Sequence, residues 1–171
     1  MPPLTFILGG ARSGKSRHAQ TLAETSGRAP MMIATAQAFD AEMQDRITRH
    51  QSERGPAWTT IEAPIDLAAA IAQIQTPATI VIDCLTLWVT NLLMADRDIP
   101  AASTALLAAC RTSPNPIIMV TNETGFGIVP PDPLSRRFRD EAGRLHQLIA
   151  ATADEVTLMV AGLPLAIKSH R

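Results

Sequence analysis

Residues 4–16 read Leu4-Thr5-Phe6-Ile7-Leu8-Gly9-Gly10-Ala11-Arg12-Ser13-Gly14-Lys15-Ser16. An apolar run breaks into glycines, and a helical pattern starts at Lys15. The eight residues Gly9, Gly10, Ala11, Arg12, Ser13, Gly14, Lys15 and Ser16 match G-x-x-x-x-G-K-[ST] between a strand signal and a helix signal. That is the context a phosphate-binding loop requires. Glycines let successive backbone N–H groups turn inward into a concave nest for phosphate oxygens. The helix that follows aims its positive end at the same anion. Lys15 is placed to reach the β- and γ-phosphates of a nucleoside triphosphate, and the Ser16 hydroxyl to ligate Mg²⁺.

Outward from this loop, short apolar runs alternate with longer helical patterns. Residues 4–8, 31–35, 79–83, 117–121 and 155–161 read as strands, nearly continuous in hydrophobicity, as in a parallel sheet covered on both faces. Residues 15–24, 39–54, 65–74, 85–93, 101–111 and 134–152 read as helices, and the Ala/Leu-rich stretch 101–109 reads as a buried one. The alternation predicts an α/β fold of the P-loop NTPase kind, a mostly parallel sheet with helices on both faces, as one nucleotide-binding domain over residues 1–171. Ligands of such sheets gather at the carboxyl ends of the strands. Asp83 ends the run TIVID there, on a strand expected to neighbour the first. Two roles stay open for it: a ligand for Mg²⁺, or the N-cap of the helix starting near Leu85.

Composition narrows the function classes. The chain has 171 residues, 15 Lys plus Arg against 16 Asp plus Glu, and a net charge of −1. Such a balance argues against a nucleic-acid partner. Hydrophobic residues are 46% and charged residues 18%, so a packed core is expected. Aromatic residues are only 4%, with no tyrosine, which leaves no base-stacking platform. Two cysteines, Cys84 and Cys110, fit a reducing compartment. No signal peptide is legible, and no stretch approaches the roughly 18 apolar residues of a membrane span, so a cytoplasmic protein without membrane insertion is expected.

Four histidines occur, at 18, 50, 146 and 170. His50 shares a helical face with Phe39, Met43 and Ile47, the pattern of a packed core or interface histidine. The same stretch carries Arg46, Arg49 and Arg54, cations able to hold a polyphosphate beside the imidazole. Positive charge nearby favours a neutral ring, which is a competent nucleophile toward phosphorus. Both readings stand on spacing alone. His18 is read as support for the phosphate loop, and His170 as part of a tail.

Larger segments now become informative. GGARSGKSRHA, IATAQ, the run from Asp40 to Trp58 containing R-I-T-R-H-Q-S-E-R-G, then Ile61-Glu62, IDCLT, VTNLL and VTNETGFGIVPPDPLSRRFRDEAGRL stand in this order, closing on Ile-Lys. Together they resemble the adenosylcobinamide kinase / adenosylcobinamide-phosphate guanylyltransferase family of cobalamin biosynthesis over nearly the whole chain. The resemblance implies a RecA-like sheet, a homotrimer and two reactions. ATP or GTP phosphorylates adenosylcobinamide; GTP then donates GMP to adenosylcobinamide phosphate, releasing pyrophosphate. It implies that GMP passes through a covalent adduct on the histidine matching His50. It also carries nucleotide contacts onto Gly9 to Ser16, Ala34, Thr35, Ala36, Gln51, Ser52, Glu53, Arg54, Glu62 and Asp83.

One P-loop is then expected to serve both steps, with His50 separating them. The plain alternative is a small-molecule kinase that needs Lys15, Ser16 and Asp83 but not His50; a nucleotide-regulated switch without turnover is a third. His146 stands where the family pattern has asparagine, and packing or an interface is its expected role. Residues 122–133, rich in Gly and Pro, read either as a surface crossover or as a wall for the corrinoid, with Phe126, Val129 and Asn122 as contacts. Ala/Leu-rich helices are the expected seams between subunits.

Overall fold

The computed structural model describes residues 2–37 and 54–169. The expected helix over 39–54 falls almost wholly outside these residues. Among the described residues seven strands form one sheet: β1 (Leu4–Gly9), β2 (Ala29–Ala34), β3 (Thr59–Glu62), β4 (Ala78–Asp83), β5 (Ile117–Asn122), β6 (Glu155–Val160) and β7 (Leu163–Lys168). Their order is β3-β2-β4-β5-β1-β6-β7, parallel except for the β6–β7 hairpin at one edge. The strand bearing Asp83 was expected to neighbour β1 and does not, because β5 pairs between them.

Among the described residues five helices pack on this sheet: α1 (Lys15–Thr25), α2 (Leu67–Gln73), α3 (Leu85–Met94), α4 (Ile99–Thr112) and α5 (Pro133–Thr152). Successive strand residues point to opposite faces, so each central strand feeds two cores. Phe6, Ile80, Ile82, Ile117 and Met119 face α2 to α5, together with Leu85, Trp88, Leu106, Leu145 and Ile149. Ile7, Val81, Ile118 and Val120 face the other way, onto Ala19 and Ala23 of α1. Small residues at 19 and 23 let α1 lie close to the sheet, which fixes its amino terminus at the end of β1.

Local chemistry sets the helix starts. Asp132 accepts from Ser135 N at 2.8 Å ahead of Pro133, and Asp98 accepts from Ala101 N at 2.9 Å ahead of Pro100. Each is an N-cap with proline in the first turn, where its missing N–H costs no helical bond. α4 departs from expectation: it is not enclosed. Ile99, Ser103 and Leu106 are buried while Ala101 and Ala105 face solvent. Alanine content alone does not distinguish a buried helix from one covered on a single stripe.

Two strands escaped the sequence reading. β3 has four residues, mostly exposed, and takes its place only by pairing with β2. β7 (LPLAIK) contains a proline and is exposed along its length, which an edge strand tolerates. No helix among the described residues is long and apolar enough to cross a membrane.

Candidate functional site

The turn after β1 is shaped by glycines at two close approaches. A Cβ on Gly9 would lie 2.5 Å from the Met159 carbonyl oxygen and 2.8 Å from Ser13 Oγ. Gly14 has φ +94° and stands 3.3 Å, at its absent Cβ, from Gly162 Cα. The β6–β7 turn thus lies against the loop, and Gly162 N donates to Ser13 O at 3.0 Å. This buttress was missed with β7; the Ala161-Gly162 pair was its turn signal.

Gly14 caps α1, so Lys15 and Ser16 occupy its first turn, where helix N–H groups lack intrahelical acceptors. Lys15 is buried, and its Nζ donates to Gly10 O at 2.6 Å, closing the loop on itself. Burial lowers its pKa, while Cys84 and Asp83 pull it back up. Ser16 Oγ donates to Asp83 Oδ2 at 3.0 Å. Arg54 belongs to the same electrostatic field: burial lowers its pKa and Asp83 raises it. Lysine, serine, arginine and aspartate thus converge at the carboxyl edge of β1 and β4.

The capping role left open for Asp83 does not hold. Cys84 is the N-cap of α3 and makes no side-chain capping bond. The Asp83 carboxylate meets Ser16 instead.

Thr35, expected among the nucleotide contacts, is fully buried. Its Oγ1 donates to Cys84 O at 2.7 Å and accepts from Cys84 N at 2.9 Å. Its own carbonyl accepts from Asn91 Nδ2 at 2.8 Å, and the same amide donates to Pro64 O at 3.0 Å. Thr35 and Asn91 therefore tie the ends of β2 and β3 to the backbone beside Asp83. Ala34 and Ala36, half-buried, and Glu62, exposed at the end of β3, flank this knot. The amide of Asn91 is buried between Val89 and Leu92 in VTNLL, a polar interruption of the apolar face that marks such a tie in sequence.

At the end of β5, Asn122 Nδ2 donates to Thr86 Oγ1 at 3.2 Å, and Glu123 N donates to Gly9 O at 2.9 Å. Beyond them Phe126, Ile128 and Val129 are 84%, 97% and 61% exposed. Asn122 thus faces the segment after Asp83, whereas Phe126 stands in solvent and Val129 lines a groove with Asp140 and Gly143 of α5. His18 is half-buried one turn into α1, its N–H bonded to Gly14 O. His50, Gln51, Ser52 and Glu53 lie outside the described residues, as does His170.

Oxygen donors from Ser16 and Asp83 within 3.0 Å fit a small hard cation such as Mg²⁺, which is held by one or two protein ligands and completes its shell with water and phosphate oxygens. Among the described residues no cluster of three or more His, Cys, Asp or Glu offers an all-protein metal cage.

A parallel sheet with this turn, and a carboxylate facing the helix's serine from the strand beyond its neighbour, is the RecA-like arrangement of P-loop NTPases. Solved structures agree on the fold. An ATPase of a bacterial type III secretion system aligns at TM-score 0.53 and 10% identity, over 96% of this chain and 56% of that one. A Pyrococcus horikoshii protein aligns at TM-score 0.56 and 7% identity, over 99% and 87%.

Within that class, the family model described as "Cobinamide kinase / cobinamide phosphate guanyltransferase" matches residues 5–167, and the chain belongs to this family. The bifunctional adenosylcobalamin biosynthesis protein CobP of Pseudomonas aeruginosa is 50% identical over 168 residues, covering 96% of this chain and 97% of that protein. The bifunctional adenosylcobalamin biosynthesis protein CobU of Salmonella typhimurium is 42% identical over 183 residues, covering 96% and 99%.

Proposed function

We propose that this chain, working as one P-loop domain, phosphorylates adenosylcobinamide with ATP or GTP and then transfers GMP from GTP to the adenosylcobinamide phosphate. Family membership supports the pair of reactions, and the 3.0 Å contact between Ser16 and Asp83 beside Lys15 is the observation that carries nucleotide chemistry at this site.

In the first step the acceptor hydroxyl attacks the γ-phosphorus. The loop amides, the α1 terminus and Lys15 hold the phosphate oxygens as charge moves toward the leaving diphosphate. Mg²⁺ would sit on Ser16 and Asp83 and neutralise phosphate charge there. Arg54, drawn by the same field, adds a guanidinium on the phosphate side. In the second step attack falls on the α-phosphorus, and the same amides with Lys15 stabilise departing pyrophosphate. His50 is the nucleophile that takes GMP and passes it to the phosphate acceptor. Ala34, Ala36, Glu62, Gln51, Ser52 and Glu53 complete the nucleotide contacts. Thr35 contributes by holding Cys84, its hydroxyl, N–H and carbonyl all being engaged within the fold.

The corrinoid acceptor sits against the loop after Asn122, where Phe126 and Val129 give an apolar wall. A homotrimer in the cytoplasm is the working form, and the exposed row Leu163, Leu165 and Ile167 on β7 offers surface for association. Intact-mass measurement after incubation with GTP tests the covalent step. One GMP is expected on the wild-type chain and none on His50→Ala. An undiminished adduct in the variant moves the nucleophile elsewhere; none in wild type leaves a kinase without guanylyl transfer.

A further inference from the structure

His146 lies on the buried face of α5, 8% exposed, with its ring centroid 5.8 Å from that of Phe6 on β1. Its Nε2 is 2.9 Å from Thr121 Oγ1, and its Nδ1 is 3.9 Å from Glu123 Oε2. A neutral imidazole has one donor and one acceptor nitrogen. Only the tautomer with its proton on Nδ1 turns a donor toward the Glu123 carboxylate and lets Nε2 accept the Thr121 hydroxyl; the other would aim a lone pair at a carboxylate.

The segment it grips is a junction. Glu123 N bonds Gly9 O at 2.9 Å, Glu123 Oε1 accepts from Gly125 N at 2.6 Å, and Asn122 between them reaches Thr86. One turn of chain therefore joins the first glycine of the phosphate loop, the start of α3 and the exposed loop that follows. His146 bonds Thr121 at the start of this turn and faces Glu123 at its end, where 3.9 Å leaves an electrostatic contact and no hydrogen bond. A leucine would fill the space against Phe6 equally well, but it would take the ring acceptor from the Thr121 hydroxyl and the ring N–H that faces the Glu123 carboxylate, which keeps its bond from Gly125 N.

We propose that His146 is a positioning residue for the acceptor side of the site: by bonding Thr121 and packing on Phe6 beside Glu123 it fixes where the 122–132 loop leaves the sheet, and so the spacing between the acceptor groove and the phosphate loop. It touches neither nucleotide nor acceptor. The inference rests on the reading of that loop as the acceptor wall. A displacement of about 1 Å at such a wall costs up to about a hundredfold in rate.

The test compares His146→Leu, which removes both polar contacts, with His146→Gln, which keeps a donor and an acceptor. The KM for adenosylcobinamide is expected to rise at least about tenfold in the leucine variant, with GTP affinity unchanged, and to recover in the glutamine variant. Amide hydrogen exchange over residues 123–130 should speed up in the leucine variant while residues 10–16 stay protected. An unchanged KM with unchanged exchange overturns the proposal. So does a parallel loss of GTP affinity, the signature of a generally loosened core. If the leucine variant does not fold, Thr121→Val removes the hydroxyl that bonds the ring and carries the same test. Absence of turnover in the wild type would sink the functional reading, and the exchange data would still decide the role of His146.

Discussion

Ser16 on α1 and Asp83 at the end of β4 meet through a 3.0 Å hydrogen bond although β5 separates their strands. The contact exists because α1 leaves β1 obliquely across the sheet, its buried Ala19 and Ala23 resting on Val81 and Val120. Packing on one face of the sheet thus sets polar geometry at its edge. Asp83→Asn keeps the shape and removes the charge. It is expected to lower the phosphorylation rate by about a hundredfold or more and to raise the Mg²⁺ concentration needed for half-maximal rate. A magnesium titration of both proteins reads both effects.

Gly9→Ala puts a methyl group 2.5 Å from the Met159 carbonyl oxygen, so the β1 turn or β6 must shift. Nucleotide affinity should fall about tenfold, equal to about 1.4 kcal/mol, in a chain that still folds. Calorimetric titration with a non-hydrolysable GTP analogue measures it.

Asn91 spans two backbone carbonyls in the interior. Replacing it with leucine leaves both without that donor, at about 1–3 kcal/mol for each buried group. Urea unfolding should show a loss of roughly 2–4 kcal/mol. An unchanged midpoint would mean that Thr35 and Pro64 find other donors.

Burial lowers the pKa of His146, and Glu123 partly restores it. A folded-state value below the unfolded one means that the unfolded chain binds the extra proton first as pH falls. The contribution of the neutral ring is therefore complete above about 6.5, the ordinary histidine value, and is lost on acidification below it. Thermal melts from neutral to mildly acid pH should show a steeper decline for wild type than for His146→Gln.

Much of this was legible in the sequence because it is local. The strand, the glycine turn and Lys15-Ser16 occupy thirteen consecutive residues, and the strand–turn–helix they specify is the one observed. Apolar continuity also marked β4 and β5 as interior strands. What escaped depends on pairing. β7 is absent from the strands read in the sequence because Pro164 interrupts its pattern, yet its hairpin partner β6 makes it a strand, and its turn brings Gly162 to the phosphate loop. The place of Asp83 beyond β5, and the commitment of Thr35 to Cys84, are likewise set by strand order, which no local pattern encodes. The interior face of α4 was overread because alanine suits both environments, while the capping role considered for Asp83 went to Cys84, whose side chain caps nothing.

The most direct test of the two-reaction account is a single incubation of the purified protein with adenosylcobinamide, GTP and Mg²⁺, its products read by mass spectrometry. Adenosylcobinamide phosphate is expected first, then adenosylcobinamide-GDP with matching pyrophosphate, and loss of only the second product in His50→Ala. Accumulation of the phosphate without any GDP product in wild type would contradict the two-reaction account.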